Sequence, residues 1–243
     1  HLYKTLTITN MNFIKDLPTA TKILLLINVA MFMLTGLLPE LRQTLALHYF
    51  GSPLFMPYQM VSHIFMHGSL THLLFNMYAL VMFGGILEKQ LGTQRFCVLY
   101  FFSAIGAFLL HMGIIWFQLS AVPVDILTQI QTHGAEIIAN GQNYTDEYLG
   151  GLNAKYNGAM VGASGAIMGL LISFAILYPN AELQLIFIPI PIKAKYFMPI
   201  YMLLELFLGV SNFQWDNIAH FAHLGGAIFG GLLMFSWLQK RRG

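Results

Sequence analysis

Long apolar runs, rather than an alternation of apolar and polar positions, dominate this chain. A helix that crosses a membrane needs about 20 mostly apolar residues. Pro39-Glu40 ends the first run and Pro179-Asn180 ends the fourth, because proline cannot continue a helix. Six runs are candidate spans, near residues 21–38, 63–86, 96–118, 159–178, 196–212 and 218–238.

These runs divide the chain into one membrane domain and two short tails. We predict an all-α membrane protein with a six-span domain over 21–238, an N-terminal segment over 1–20 and a basic tail over 239–243. Loop one, roughly residues 39–62, is semi-apolar and is expected to lie partly in the membrane interface. Most of the polar sequence falls in an outer loop over 119–158. The proline-rich segment 186–192 is too short to span and is expected to form an interfacial loop.

Composition supports this class and excludes others. Hydrophobic residues make up 57% of the 243 residues and charged residues 9%, whereas a soluble domain carries about 25% charged residues. Soluble, disordered and disulfide-stapled chains are therefore excluded. The net charge of +2 does not indicate nucleic-acid binding, and the single cysteine, Cys97, cannot form an internal disulfide.

The basic residues predict the orientation. In the six-span arrangement ten of the twelve lysines and arginines fall on one side, and only Arg42 and Lys155 fall on the other. Cytoplasmic loops are enriched in basic residues. Both termini are therefore expected to be cytoplasmic, and the compact form with short tails indicates a bacterial plasma membrane.

Polar side chains cluster inside the predicted spans, where they are costly and indicate function. At about 1.5 Å per helical residue, Ser164, His223, His72 and Asn76 lie roughly 22, 25, 24 and 18 Å above the inner boundary. Four polar groups on three helices therefore share a depth. Glu205 lies near the middle of span five, where we expect it to be protonated or hydrogen bonded within the bundle.

Two glycine patterns indicate how these helices pack. Gly165-Ala-Ile-Met-Gly169 follows the serine and Gly226-Ala-Ile-Phe-Gly230 follows the histidine. Small residues at this spacing allow close approach of two membrane helices. Packing along these faces is expected to bring Ser164 and His223 together.

A serine beside a neutral imidazole is the chemistry of a nucleophile and its base. Asn76, His72 and the Ser164 backbone N–H are candidates for stabilising the oxyanion of a tetrahedral intermediate. No acidic residue is placed in sequence to orient the histidine, so we expect a Ser-His dyad rather than a triad. His63 and His67 have metal-ligand spacing, but Ile64 stands where a zinc protease has glutamate. We expect these two histidines to bind no metal and to form hydrogen bonds with loop one.

Four ordered motifs resemble the rhomboid family of intramembrane serine proteases, over about Leu45 to Leu238. They are His63-Ile-Phe-Met-His67 with His72-Leu-Leu-Phe-Asn76, Gly84-Gly-Ile-Leu-Glu88-Lys-Gln-Leu-Gly92, Gly162-Ala-Ser-Gly165, and Ala222-His-Leu-Gly-Gly226 with Gly230.

The resemblance implies a six-helix rhomboid-like bundle with an interfacial loop one and a water-filled cavity open to the outer face. It implies that Ser164 is the nucleophile, His223 the base, and His72 with Asn76 the oxyanion side chains. It also implies transmembrane protein substrates and no cofactor. His220 is the alternative base, but the glycines of the family pattern follow only His223.

Two positions depart from the family pattern. Tyr58-Gln59 stands where many members have Trp-Arg, and Met168 stands where many have an aromatic residue stacked on the catalytic histidine. Two other functions stay open: a rhomboid-like pseudoprotease that binds membrane clients without cleaving them, and a transporter or channel. Retention of both Ser164 and His223 disfavours the pseudoprotease.

Overall fold

The structure is a computed structural model that describes residues 16–185, 188–211 and 219–240; of residues 184, 185 and 188–190 it describes only the backbone. The outermost parts of both predicted tails therefore lie outside the described residues, as do Ile186 and Phe187 of the predicted interfacial loop. The described chain is mainly helical, as the apolar runs predict, and it contains one two-stranded sheet.

The helices follow the predicted runs closely. They are α1 (Thr19–Leu37), α2 (Glu40–Leu45), α3 (Gln59–Ser62), α4 (Leu70–Ala79), α5 (Gly85–Leu91), α6 (Thr93–Leu119), α7 (Val124–Gln129), α8 (Ala135–Ala139), α9 (Glu147–Asn157), α10 (Ser164–Leu177), α11 (Ala194–Ser211) and α12 (His220–Lys240). One π-helical turn, Leu80–Gly84, joins α4 to α5 and another, Ile130–Gly134, joins α7 to α8.

Five described helical segments are long and apolar enough to cross a membrane. They are α1, the joined α4–α5 segment Leu70–Leu91, α6, α11 and α12. The sixth apolar helix, α10, has 14 residues, which is about 21 Å at 1.5 Å per residue and shorter than the hydrocarbon core. The predicted span 159–178 thus becomes helical only at Ser164. Six full-length spans stay a prediction.

Span two also begins later than predicted. Its helix starts at Leu70 rather than near residue 63, and His63–Phe65 form a separate 3₁₀ turn before it. Gly68 and Ser69 separate the two, and the Ser69 hydroxyl caps α4 by accepting a hydrogen bond from the His72 backbone N–H at 3.1 Å. A serine at this position explains why the helix begins there.

The chain between α10 and α11 forms a hairpin that the sequence did not predict. Strand β1 (Glu182–Leu185) pairs antiparallel with β2 (Ile188–Lys193), with Glu182 opposite Lys193. Isoleucine, which favours strands, alternates with proline in β2. A two-stranded ribbon leaves one edge of each strand unpaired, where proline is tolerated.

Two buried clusters form the core. The larger lies within the helix bundle and includes Leu80, Phe96, Tyr100 and Leu170. The smaller, which includes Leu47, Ile115, Ile130 and Tyr156, joins loop one to α6 and to the loop over 119–158. That long polar loop is therefore a packed helical unit, built from α7, α8 and α9.

Candidate active site

Ser164 is the first residue of α10, and the chain approaches it through a glycine with a positive φ. Gly162 has a φ of +133°, a conformation that side chains rarely adopt. Its N–H donates to the His63 carbonyl at 3.0 Å. A methyl group at Gly162 would lie 2.9 Å from His72 Nε2 and 3.6 Å from Ser164 Oγ. The glycine therefore allows the His72 ring to approach the serine.

Loop one holds the segment that precedes the serine. Leu47 and Met160 exchange two backbone hydrogen bonds, of 2.9 and 2.7 Å, as an isolated antiparallel bridge. Loop one is itself held by Gln59, whose side chain is buried and whose amide donates to the carbonyls of Thr44 and Leu54. The amide oxygen of Gln59 also accepts from the Met56 N–H at 3.1 Å. Gln59, which departs from the Trp-Arg pattern, therefore stabilises the loop through its hydrogen bonds.

The predicted glycine faces of α10 and α12 are in contact. A methyl group on Gly226 would lie 1.8 Å from the Gly165 carbonyl oxygen, and one on Gly230 would lie 2.6 Å from the Gly169 Cα. Backbone therefore lies against backbone at these positions, and no larger residue fits without separating the helices.

This crossing brings the two main candidate residues together. His223 Nε2 lies 2.8 Å from Ser164 Oγ, so the hydroxyl is positioned to donate to the ring nitrogen. The two side chains lie 59 residues apart in sequence and line one cavity of about 740 Å³. His220, the alternative base, is not among the residues that line this cavity, and its Nδ1 lies 2.6 Å from Glu205 Oε2 on α11.

The two candidate oxyanion side chains line the same cavity. His72 is half-buried and Asn76 is buried one turn later in α4. The Asn76 side-chain nitrogen donates one hydrogen bond to the His72 carbonyl at 2.9 Å. An amide nitrogen carries two hydrogens, so this contact fixes the side chain and leaves a second donor.

His63 and His67 lie before α4 and not on it, so their spacing does not place them on one helical face. His63 Nδ1 lies 2.7 Å from the Gln59 carbonyl oxygen, which ties it to loop one as expected. Burial lowers the pKa of the His63 imidazole to about 4, so this ring is neutral. The His67 ring packs edge-on against His72, with centroids 5.0 Å apart. His63 therefore lines the cavity itself, whereas His67 packs against His72, which lines it.

Glu205 corrects the expectation that no acidic residue is placed to orient the histidine. Its Oε2 lies 3.0 Å from His223 Nδ1 and 2.6 Å from His220 Nδ1. The contact with His223 is at ion-pair distance but lacks the alignment of a straight hydrogen bond. Glu205 is on α11 and both histidines are on α12, so only the packing of these helices reveals the contact. The sequence signal was the isolated carboxyl group at mid-span.

The same three side chains are the described set that offers metal-ligand atoms within 4.8 Å of one another. Ligands 2.0–2.1 Å from a tetrahedral zinc ion are about 3.3 Å apart. The contacts of 2.6 and 3.0 Å are shorter than that, so the carboxylate and the imidazoles contact one another directly. The expectation of no metal remains a prediction.

Met168 also lines the cavity and is buried, with 2% of its surface exposed. It lies one turn after Ser164 in α10. A thioether fills this position, where an aromatic ring would pack on the histidine more firmly. Position 168 therefore provides no aromatic ring that could stack on His223 and orient it.

Comparison with known proteins adds an independent observation. The model of the Rhomboid domain family matches residues 55–122 and 127–240, which is most of the chain. Ser164, His223, His72 and Asn76 all lie within the matched ranges.

Individual relatives come from bacteria and from mitochondria. The rhomboid protein YdcA of Bacillus subtilis is 30% identical over 186 residues, which cover 76% of this chain and 69% of that protein. Rhomboid protease AarA of Providencia stuartii is 26% identical over 71% of this chain and 53% of its own length. Mitochondrial rhomboid protein 1 of Saccharomyces cerevisiae is 26% identical over 73% of this chain and 40% of its own length. The chain thus spans about half the length of the last two.

Proposed function

Because the chain belongs to the rhomboid family, which includes named proteases, we propose that it is an intramembrane serine protease that cleaves transmembrane protein substrates. The observation that carries the proposal is the 2.8 Å separation of Ser164 Oγ and His223 Nε2 within a cavity of the membrane domain. A lone serine in a membrane helix usually donates to a carbonyl of its own helix, as Ser103 does to Leu99 at 2.7 Å. Ser164 is paired with an imidazole instead.

The proposed reaction begins with Ser164. Its hydroxyl proton moves to His223 Nε2 as Oγ attacks the scissile carbonyl carbon, and the imidazolium then protonates the departing amine. A water molecule, activated by the same imidazole, hydrolyses the acyl-enzyme and frees the serine. The residues need no cofactor for these steps.

The oxyanion is stabilised by three groups in this proposal. The Ser164 backbone N–H lies at the N-terminus of α10, where helical N–H groups have no partner within the helix. His72 and the second N–H of Asn76 complete the set from α4. Loss of one such donor typically lowers the rate by about 10²–10³.

The membrane setting follows from the five spanning helices and the family, which make the chain an integral multi-pass membrane protein. We place both termini in the cytoplasm, on the distribution of the basic residues, and assign the protein to a bacterial plasma membrane. Lipid and a transmembrane substrate are its proposed partners. The cavity is proposed to hold the hydrolytic water and to open to the outer face.

The test compares Ser164→Ala with Ser173→Ala, a matched change in the same helix. The Ser173 hydroxyl is buried and donates toward the Gly230 carbonyl at 3.4 Å, away from the site. In proteoliposomes containing a transmembrane substrate, wild type and Ser173→Ala are expected to cleave it. They should also react with a fluorophosphonate probe, while Ser164→Ala does neither.

Equal cleavage by wild type and Ser164→Ala would refute the proposal. A folded wild-type protein that binds the substrate but neither cleaves it nor reacts with the probe would instead establish the silent, client-binding function. Solute flux without probe labelling would identify a transporter.

A further inference from the structure

Glu205 is a buried carboxyl group that the proposed reaction leaves without a role. It lies in the middle of α11, with 3% of its surface exposed. A buried ionised carboxylate is stable only when donors or cations satisfy it. Within the part of the chain that the structure describes, this carboxylate lies at ion-pair distance from both His220 and His223. Tyr201, one turn earlier on α11, also interacts with it.

The two ring nitrogens of His223 face different partners. Nε2 faces Ser164 Oγ and Nδ1 faces Glu205 Oε2. A base that accepts the serine proton at Nε2 must carry the hydrogen of the neutral ring on Nδ1. A carboxylate beside Nδ1 favours that tautomer, and it also stabilises the imidazolium that forms after the proton is transferred.

His220 accounts for the placement of the carboxylate. It is one turn before His223 on α12, and its Nδ1 lies 2.6 Å from the same oxygen, Glu205 Oε2. The two histidine rings lie edge to face, with centroids 6.3 Å apart. His220 thus holds the carboxylate of α11 against α12, at the level of the ring that faces Ser164.

We propose that Glu205 is a positioning residue that holds the His223 ring in the tautomer and orientation needed to accept the Ser164 proton, with His220 fixing the carboxylate. This inference rests on the proposed serine protease function. The carboxylate stays ionised throughout, and the proton travels only from Ser164 Oγ to His223 Nε2 and on to the leaving amine. The group therefore supplies the orientation that Met168, in place of an aromatic residue, does not.

The test is Glu205→Gln, which preserves size and removes the charge. Its control is Glu88→Gln, the same change at an equally buried glutamate outside the site. Cleavage of a transmembrane substrate is measured across pH in proteoliposomes. For Glu205→Gln we expect kcat to fall about 10²-fold with little change in KM. This loss of kcat is smaller than the roughly 10⁴-fold loss when an aligned triad aspartate is replaced.

Two further readouts separate positioning from a structural role. Among the described residues, the groups that face position 205 are Tyr201, His220 and His223. The acid limb of the Glu205→Gln pH profile should move to lower pH, because the imidazolium loses its counter-charge. Glu205→Asp restores the charge, so it should recover part of kcat.

The inference is overturned if Glu205→Gln retains kcat and its pH profile as fully as Glu88→Gln does, while Ser164→Ala is inactive. That result leaves the proposed function intact. If Glu205→Gln does not fold, ¹⁵N-histidine NMR of the wild-type protein decides the matter, with the His223 signals assigned by their loss in His223→Gln. A neutral ring protonated on Nδ1 supports the proposal, and one protonated on Nε2 refutes it.

Discussion

Two glutamates, Glu88 and Glu205, are equally buried in this membrane domain, at 3% exposure each, but their surroundings differ. Glu88 Oε1 accepts from the Ala20 N–H and the Thr93 hydroxyl, and its Oε2 accepts from the N–H and hydroxyl of Thr21. All four distances lie between 2.7 and 2.9 Å. Glu205 directs one oxygen at two imidazoles.

The difference in hydrogen-bond partners distinguishes a structural carboxylate, Glu88, from one that can take part in a reaction, Glu205. Three of the four donors of Glu88 are backbone and hydroxyl groups at the N-terminus of α1, and the fourth is the Thr93 hydroxyl at the N-terminus of α6. A negative charge is also favoured by the helix dipole at these ends. The lone pairs of Glu88 are occupied, and none of its partners takes up a proton. The partners of Glu205 are imidazoles, a group that can accept and release a proton, and one of them faces a serine. Burial alone therefore does not identify a functional carboxylate in a membrane; the identity of its donors does.

The largest expected effect is at the helix crossing that creates the surroundings of Glu205. Gly226→Ala would place a methyl group 1.8 Å from the Gly165 carbonyl oxygen, so α10 and α12 must separate by more than 1 Å. A misplacement of about 1 Å costs roughly 10² in rate. We expect fluorophosphonate labelling of Ser164 to slow by at least about 10²-fold.

The control for that change lies in the same helix. A methyl group at Gly231 would lie 3.5 Å from Ile172 Cγ1, an ordinary contact, so Gly231→Ala should label at nearly the wild-type rate. Equal labelling rates for both variants would show that the close helix approach does not position the serine and the histidine.

The second largest effect tests whether Glu88 has a purely structural role. Glu88→Ala leaves the four donors unpaired and removes the tie between α5 and α1. We expect it to lower the free energy of unfolding in detergent by about 2–4 kcal/mol, since one hydrogen bond to a charged group contributes about 1.5–3 kcal/mol. The activity of the folded fraction should stay within about twofold of wild type. A tenfold loss of that activity without loss of stability would assign Glu88 to the site.

The smallest expected effect isolates one donor of Glu88. Thr21→Val removes the hydroxyl that lies 2.8 Å from Oε2 and retains the shape of the side chain. We expect a loss of about 1–2 kcal/mol in the free energy of unfolding. Thr35→Val is the matched change in the same helix, where the hydroxyl donates to the carbonyls of Met31 and Phe32 in the preceding turn. It should cost less than half as much, and equal losses would mean that the contact with Glu88 adds nothing.

The apolar runs predicted the helices well because length and hydropathy are local properties. The ends of the predicted spans were less accurate where local capping decides them, as at Ser69, which starts α4 seven residues after the predicted onset. The hairpin of β1 and β2 was not predicted, because its pairing depends on two segments that meet across a turn. The outer loop over 119–158 gave no sign of its docking on loop one, which uses a 2.7 Å hydrogen bond from Ser52 to Asn157.

The residues of the candidate site were likewise predicted where the signal is local and missed where it depends on packing. Ser164 and His223 were paired from their estimated depth and their adjacent glycines, because glycine spacing reports which helix faces can approach. His63 and His67 were assigned to a helix that begins only after them. Gln59 was noted as a departure from a family pattern, but its hydrogen bonds within loop one could not be derived from spacing.

The sequence by itself determined that this protein is helical, lies in a membrane, and carries a serine, two histidines and an asparagine at one depth, where polar groups are costly. These properties follow from the order of residues along single helices. Only the tertiary structure gave the distance between Ser164 and His223 and revealed that a glutamate lies behind the histidine ring. The physical reason is that Glu205, His223 and Ser164 lie on three different helices, and their distances depend on how closely the helix backbones pack.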